Sequence, residues 1–98
     1  MAAYIIAEVE VSDPETYATY RAQTPGVIER YGGRFLVRGG PAELLEGDRE
    51  PARLVVIEFP DVAAAKRFYG SPEYQAIIGI RQRAATGRLV LVEGAPAG

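Results

Sequence analysis

The chain has 98 residues and 48% hydrophobic composition, which indicates one small folded domain rather than a disordered segment. Its net charge of −2 gives no bulk attraction to nucleic acid, so a nucleic-acid partner is not expected. It contains no cysteine and no histidine, which excludes disulfides and removes the commonest metal ligand and general base, so we expect no metal and no cofactor.

The first predicted element is a strand over "YIIAEVEV", residues 4–11, because apolar and polar side chains separate by parity there. One face of this strand is apolar throughout. It consists of Ile5, Ala7, Val9 and Val11. We expect this face to lie against the core.

A helix is predicted next, within residues 12–33. Asp13 suits its N-cap position, and Gly32-Gly33 suits its end. Pro25-Gly26 lies inside the apolar stripe of this helix. A proline in a helix interior removes one backbone hydrogen bond, so we expect a kink, or a break and restart, at this point.

The rest of the chain alternates between apolar runs and capped segments. Strands are predicted at 34–38, 53–59 and 88–93, a long connection at 39–52, and two short helices within 60–84. Asp61 and Ser71 suit the N-caps of the two helices, and Gly70 separates them.

The element order is β-α-β-β-α-β, with the second helical part divided in two, and "SDPETY" is echoed by "GSPEY". This order predicts an α+β, ferredoxin-like fold with a four-stranded antiparallel sheet. Right-handed crossovers place the helices on one face. We expect the first and third strands at the centre, parallel to each other. The domain is expected to span 1–94, with 95–98 as a flexible C-terminal tail.

The second face of the sheet is left uncovered by this arrangement and is called the open face. Its expected members are Tyr4, Ile6, Glu8, Arg34, Leu36, Arg38, Leu54, Val56, Glu58, Leu89 and Leu91. So many aliphatic side chains form too large a patch to remain in water on a monomer. A second copy related by two-fold symmetry is the simplest cover, so a homodimer is predicted.

Five charged or polar residues of the open face are candidates for binding a ligand: Arg38, Tyr4, Glu8, Arg34 and Glu58. With the first and third strands parallel, Glu8 would fall near Glu58 and Arg34, and Arg38 would lie apart beside Tyr4. Arginine is suited to a carboxylate or phosphate because of its planar, permanently charged fork. Two interpretations stay open: a ligand site, or an ion-pair network that fixes the dimer register.

Three motifs together resemble a known family. They are "YGGRFLVRGGPAELLEGD", "RLVVIEFP" and "FYGSPEYQ", and the resemblance extends over about residues 3 to 94. The chain resembles the bacterial domain-of-unknown-function-1330 family of the dimeric alpha-beta barrel superfamily. The resemblance implies a ferredoxin-like fold and a homodimer whose sheets close into a barrel-like interface. It supplies no activity and no catalytic residues.

The expected function is binding of a small anionic or carboxylate-bearing molecule near the dimer interface. One alternative is a cofactor-independent monooxygenase or isomerase with a carboxylate base, as the superfamily resemblance implies. Its haem-binding members use a histidine, which this chain lacks. The other alternative is a purely structural or protein-interaction dimer.

The location of the protein is predicted from two further features. No apolar run reaches the length of a membrane span. The start "MAAYIIAEVE" lacks the basic region of a signal peptide. We therefore expect a cytoplasmic protein without a membrane partner.

Overall fold

The computed structural model describes residues 1–96. Its elements are β1 (Ala3–Val11), α1 (Pro14–Arg30), β2 (Arg34–Arg38), β3 (Arg53–Phe59), α2 (Val62–Tyr69), α3 (Pro72–Ala84) and β4 (Ala85–Glu93). This order confirms the predicted ferredoxin-like α+β fold. β4 begins earlier than predicted, because residues 85–87 continue the pairing with the end of β1. The expected tail, 95–98, lies partly outside the described residues.

The sheet has the strand order β2-β3-β1-β4, and every neighbouring pair of strands is antiparallel. The expected parallel pairing of β1 with β3 is wrong, because Tyr4 lies opposite Glu58 and Glu8 lies opposite Leu54. The crossover through α1 makes β2 parallel to β1, and the next connection reverses the chain. β3 is therefore antiparallel to both of its neighbours.

The core lies between the three helices and one face of the sheet. Ile5, Ala7 and Val9 of β1 are buried there, as predicted. The helices contribute large side chains, and the Phe68 and Tyr74 rings pack with their centroids 4.6 Å apart. A fully buried aliphatic or aromatic side chain contributes roughly 1.5–3 kcal/mol, so this layer stabilises the fold. None of the helices within residues 1–96 could cross a membrane.

The three helices begin at the predicted caps. The side chains of Asp13, Asp61 and Ser71 each accept a hydrogen bond from a backbone N–H in the first turn, at 3.2, 2.7 and 3.1 Å. Such caps satisfy backbone donors that have no partner within the helix. α1 ends just before Gly32, which has a φ of 82° and so suits a residue without a Cβ.

α1 is not interrupted at Pro25, so the expected break and restart is wrong. Pro25 has no N–H, and the carbonyl of Arg21, four residues earlier, therefore loses its helical donor. Two side chains donate to this carbonyl instead. They are the Arg38 guanidinium, through Nη2, and the Thr24 hydroxyl, at 3.4 Å. The helix continues because the carbonyl is satisfied from outside the helical ladder.

A β-bulge at Leu36 changes which side of the sheet the end of β2 faces. Arg34 pairs with Glu58, but the register then shifts, and Arg38 pairs with Val55. Val55 is a core residue. The extra residue of a bulge reverses the parity of the strand after it. Arg38 therefore lies on the helix-facing side, and its expected position on the open face beside Tyr4 is wrong.

The expected positions of Leu89 and Leu91, at the other edge of the sheet, are also wrong. Leu89 lies opposite Ala7 and Leu91 opposite Ile5, so both lie on the helix-facing side rather than on the open face. Their neighbours in β4 take the open positions. The aliphatic residues of the open face are Ile6, Val37, Leu54, Val56, Val90 and Val92. The apolar character of this face is thus retained with partly different residues.

Candidate functional site

Three of the five candidate residues form one contact group on the open face. Arg34 Nε donates to Glu58 Oε1 at 2.8 Å, and the Tyr4 hydroxyl donates to Glu58 Oε2 at 3.3 Å. Both oxygens of the Glu58 carboxylate therefore have protein partners, and the charge of Arg34 is matched. This geometry is an ion-pair network within one sheet.

Glu8 does not join this group, because the antiparallel register places it at the opposite end of the sheet. Its Oε2 accepts a hydrogen bond from the Ala52 N–H at 3.2 Å, and its Oε1 lies 3.7 Å from Arg49 Nη2. Glu8 thus attaches the 39–52 connection to β1. The expected cluster of Glu8 with Glu58 is wrong for the same reason as the expected parallel pairing.

Arg38 lines a cavity between the helices and the helix-facing side of the sheet. The cavity has a volume of about 40 Å³, room for roughly three waters at about 10–15 Å³ each. Most of its wall is made of apolar core side chains, among them Val9, Phe35 and Val55. Four arginines line it as well, namely Arg21, Arg38, Arg53 and Arg81. We call this space the arginine cavity.

No carboxylate neutralises these four arginines. Within residues 1–96 the ion pairs are Arg30–Glu73, Arg34–Glu58 and Arg49–Glu8, all of them elsewhere. No Asp or Glu of this part of the chain lines the cavity. Positive charge that is partly removed from water without a counter-charge is costly.

Arg38 is held at this cavity by two contacts. Its Nη2 donates to the Arg21 carbonyl, and its guanidinium lies 4.4 Å from the centre of the Phe35 ring. Burial, followed by the positive charges of Arg21 and Arg53, lowers the pKa of Arg38. These effects all disfavour the charged form, and an anion between the guanidinium groups would oppose them.

Arg53 occupies a confined position at the beginning of β3. Its guanidinium lies 5.7 Å from the centre of the Tyr17 ring, and its Nε is buried without a hydrogen-bond partner in residues 1–96. Gly39 packs directly against this guanidinium, because a Cβ at that position would collide with it. Gly39 also has a φ of 72°, which favours glycine. Two requirements thus converge on this glycine.

Arg81 of α3 completes the charged part of the cavity, beside a pair of tyrosines. Its Nε is also buried and has no hydrogen-bond partner among the described residues. The hydroxyls of Tyr20 and Tyr74 are 2.8 Å apart and hydrogen-bonded. Burial and the neighbouring Tyr74 raise the pKa of Tyr20. Tyr20 therefore remains a neutral hydroxyl at physiological pH.

One signal for this site is present in the sequence, at Arg53 of β3. Arg53 shares its parity with Val55, Ile57 and Phe59 of β3, so it belongs to the core-facing row of a buried strand. A charged residue in such a row is unusual. Arg81 and the bulge at Leu36 had no comparable signal, because a helix register against the sheet and a bulge depend on tertiary pairing.

A family model described as a domain of unknown function (DUF1330) matches residues 2–95. The chain belongs to the DUF1330 family. This confirms the resemblance stated above. A search of curated proteins found no match for this DUF1330 chain.

Solved structures similar to this DUF1330 protein show the same fold. RPA0582, of unknown function, from Rhodopseudomonas palustris has a TM-score of 0.78 and 24% identity, over 98% of this chain and 84% of its own. A dimeric ferredoxin-like protein of unknown function from Jannaschia sp. CCS1 has a TM-score of 0.72 and 17% identity, over 96% and 100%. SnoaB, a cofactor-independent oxygenase from Streptomyces nogalater, has a TM-score of 0.66 and 16% identity, over 98% and 95%.

Proposed function

We propose that this protein binds a small carboxylate-bearing anion in the arginine cavity. Arg38, Arg53 and Arg81 supply the positive charge. The observation that supports this most directly is the pair of buried Nε atoms of Arg53 and Arg81, which have no partner in residues 1–96. Arginine N–H groups match a carboxylate in geometry and charge, and both residues line the cavity that such an anion would occupy.

The proposed anion site lies on the helix-facing side of the sheet, whereas the sequence led us to expect it on the open face. Of the five candidates, only Arg38 belongs to it. Tyr4, Arg34 and Glu58 satisfy one another, and Glu8 holds the 39–52 connection. Their proposed role is structural.

We also propose that the protein is a homodimer through its open face. Ile6 lies in the central strand β1, yet its side chain is 38% exposed, and it is surrounded by the other aliphatic residues of this face. A patch of this kind is typical of an interaction surface. The Jannaschia protein of the same fold is described as dimeric.

The enzyme alternative receives less support from the geometry. SnoaB is a cofactor-independent oxygenase, and a related reaction here was expected to use a carboxylate base. No Asp or Glu of residues 1–96 lines the arginine cavity. We therefore propose binding rather than carboxylate-based catalysis at this site.

Isothermal titration calorimetry with acetate, phosphate and chloride tests the anion site. We expect Arg38→Leu and Arg53→Leu each to weaken acetate binding at least tenfold, since a hydrogen bond to a charged group contributes roughly 1.5–3 kcal/mol. Arg67→Leu is the matched control, because Arg67 is exposed on α2 and does not line the cavity. Circular dichroism melting verifies that each variant is folded. Absence of binding by every anion to the wild-type protein would refute the proposed function.

A further inference from the structure

A second apolar space lies beside the arginine cavity, on the other side of Leu89. This groove, called the β4 groove, lies between α2 and the edge strand β4 and has a volume of about 320 Å³. Its main lining residues are Ile5, Ala65, Lys66, Tyr69, Leu89 and Leu91. Ile5 and Leu89 also line the arginine cavity, so these two side chains form a shared wall.

A depression at the end of α3 adjoins both spaces. It is lined by Arg81, which belongs to the arginine cavity, and by Tyr69, which belongs to the β4 groove. Leu89 lines all three. The charged cavity, the depression and the apolar groove therefore all border Leu89.

The β4 groove exposes apolar side chains that the fold itself does not cover. Leu91 points to the helix-facing side of the sheet, yet it is 36% exposed, and Tyr69 of α2 is 42% exposed. β4 is the edge of the sheet, and α2 leaves part of its helix-facing side open. An apolar chain placed along Leu91 and Tyr69 would remove this surface from water.

We infer that the ligand is an amphipathic carboxylic acid with an unbranched apolar chain. Its carboxylate binds among Arg38, Arg53 and Arg81, and its chain passes Leu89 into the β4 groove. The inference rests on the proposed function for the carboxylate and adds the identity of the rest of the molecule. The positive charge of the arginine cavity and the apolar walls of the adjoining β4 groove determine both the ligand class and its orientation.

Other ligand classes use only part of this surface. Phosphate or acetate would satisfy the arginines but leave the groove of about 320 Å³ unused. A neutral apolar molecule would fill the groove but leave the buried Nε atoms of Arg53 and Arg81 without partners. The arginine cavity alone, at about 40 Å³, has no room for the body of a larger acid, and the apolar space that borders it at Leu89 is the β4 groove.

A chain-length series tests the inference with acetate, butyrate, hexanoate and octanoate as probes. Each buried methylene should increase affinity roughly fourfold, as expected from the transfer of apolar surface out of water. We therefore expect the dissociation constants measured by calorimetry to fall steadily from acetate to octanoate. Equal affinity for all four acids would overturn the inference while leaving the anion site intact. No binding of any acid would overturn the proposed function as well.

Three variants and one control test the location and the direction of the chain. Leu91→Gln should weaken octanoate binding at least tenfold, and Arg67→Leu, outside both spaces, should change it less than twofold. Arg38→Leu should weaken binding of all four acids. If Lys66→Met abolished octanoate binding while Arg38→Leu did not, the orientation would be reversed and the inference wrong.

The groove has one competing occupant, a second copy of this chain. Sedimentation of Leu91→Asp distinguishes the two. We expect this variant to keep the association state of the wild-type protein and to lose its preference for octanoate. Dissociation of the variant into monomers would identify the groove as an interface and overturn the inference.

Discussion

Pro25 and Arg38 are linked through one carbonyl oxygen, that of Arg21. Pro25 cannot donate to it, and Arg38 does. The two residues belong to different elements, α1 and β2, and Arg21 and Arg38 both line the arginine cavity. Because Pro25 has no N–H, the Arg21 carbonyl is free to accept from the Arg38 guanidinium and to orient it.

Pro25→Ala should increase stability and reduce anion binding. Alanine restores an N–H donor to the Arg21 carbonyl, and a helix-interior proline costs about 3 kcal/mol relative to alanine. The greater freedom of the unfolded alanine chain offsets part of this gain, by about 0.4–1 kcal/mol. We expect a net gain of about 2 kcal/mol in urea unfolding and a loss of several-fold in acetate affinity, because Arg38 must share its acceptor.

Gly26→Ala is the control for this variant. It changes helix propensity at the next residue, and a Cβ there would contact nothing within 4 Å. It should raise stability by about 1 kcal/mol and leave acetate affinity unchanged. If Pro25→Ala behaved in the same way, the Arg21 carbonyl would have no role in positioning Arg38.

Gly39→Ala should weaken anion binding by displacing Arg53. The added Cβ would occupy space that the Arg53 guanidinium fills, and the φ of 72° also disfavours alanine. A left-handed conformation costs a residue with a Cβ about 1–2 kcal/mol, so stability should fall by at least that amount. Thermal melting with and without acetate measures both effects.

Two comparisons make the Gly39 result specific. Gly40→Ala, where the Cβ would contact nothing within 4 Å, should leave acetate affinity unchanged. Gly39→Ala combined with Arg53→Leu should bind acetate no more weakly than Arg53→Leu alone, since the same guanidinium is affected. Additive losses in the double variant would contradict this explanation.

Ile6→Asp should separate the proposed dimer into monomers. A carboxylate at the centre of the open face would be buried without a partner in the interface, whereas in the monomer it would reach water. Light scattering after gel filtration should give twice the chain mass for the wild-type protein and a single chain mass for the variant. Leu45→Asp is the control, since Leu45 lies in the 39–52 connection and is 91% exposed. A monomeric wild-type protein would contradict the dimer proposal.

Tyr31 and Glu73 should make stability depend on pH in the acid range. The Tyr31 hydroxyl donates to Glu73 Oε2, and this bond is the main reason that the pKa of Glu73 is lowered. A carboxyl with a lowered pKa in the folded state stabilises the protein above its unfolded pKa. This stabilisation is lost as the pH falls through the folded pKa. Tyr31→Phe should therefore raise the pKa of Glu73 in an NMR titration and reduce the loss of stability on acidification.

Arg30→Leu provides the comparison for Glu73. Arg30 Nη1 lies 3.8 Å from Glu73 Oε1 and contributes less to the lowered pKa than Tyr31 does. Its removal should raise the pKa of Glu73 by less than Tyr31→Phe does. The reverse order would show that the ion pair, and not the hydrogen bond, controls this carboxyl.

The sequence was sufficient for the elements and the fold because these depend on local signals. Caps such as Asp13 and Ser71, and the alternation in β1, are short-range features that were predicted correctly. The direction of β3 against β1 was predicted wrongly, although the βαββ order determines it, and that error moved Glu8 to the wrong end of the sheet. Arg38 was predicted on the open face, but the bulge in β2 places it on the helix-facing side.

The remaining errors concern features that depend on tertiary contacts. The bulge at Leu36 is defined by the register of β2 on β3, and no residue of "RFLVR" predicts a bulge. The continuity of α1 through Pro25 depends on Arg38, which approaches from another element. In both places the deciding interaction joins residues distant in the chain, and local patterns contain no record of it.

The single extra residue in β2 places the two arginines of this short strand on opposite faces of the sheet. Arg34, before Leu36, lies on the open face and pairs with Glu58. Arg38, after it, lies on the helix-facing side and donates to the Arg21 carbonyl. Deletion of Leu36 would remove the bulge and leave Arg38 opposite Val55 on the helix-facing side, whereas regular pairing of all five residues would place Arg38 opposite Leu54 and turn it outward. When DUF1330 sequences are aligned, a one-residue gap here therefore marks a strand without the bulge that still directs its last arginine inward.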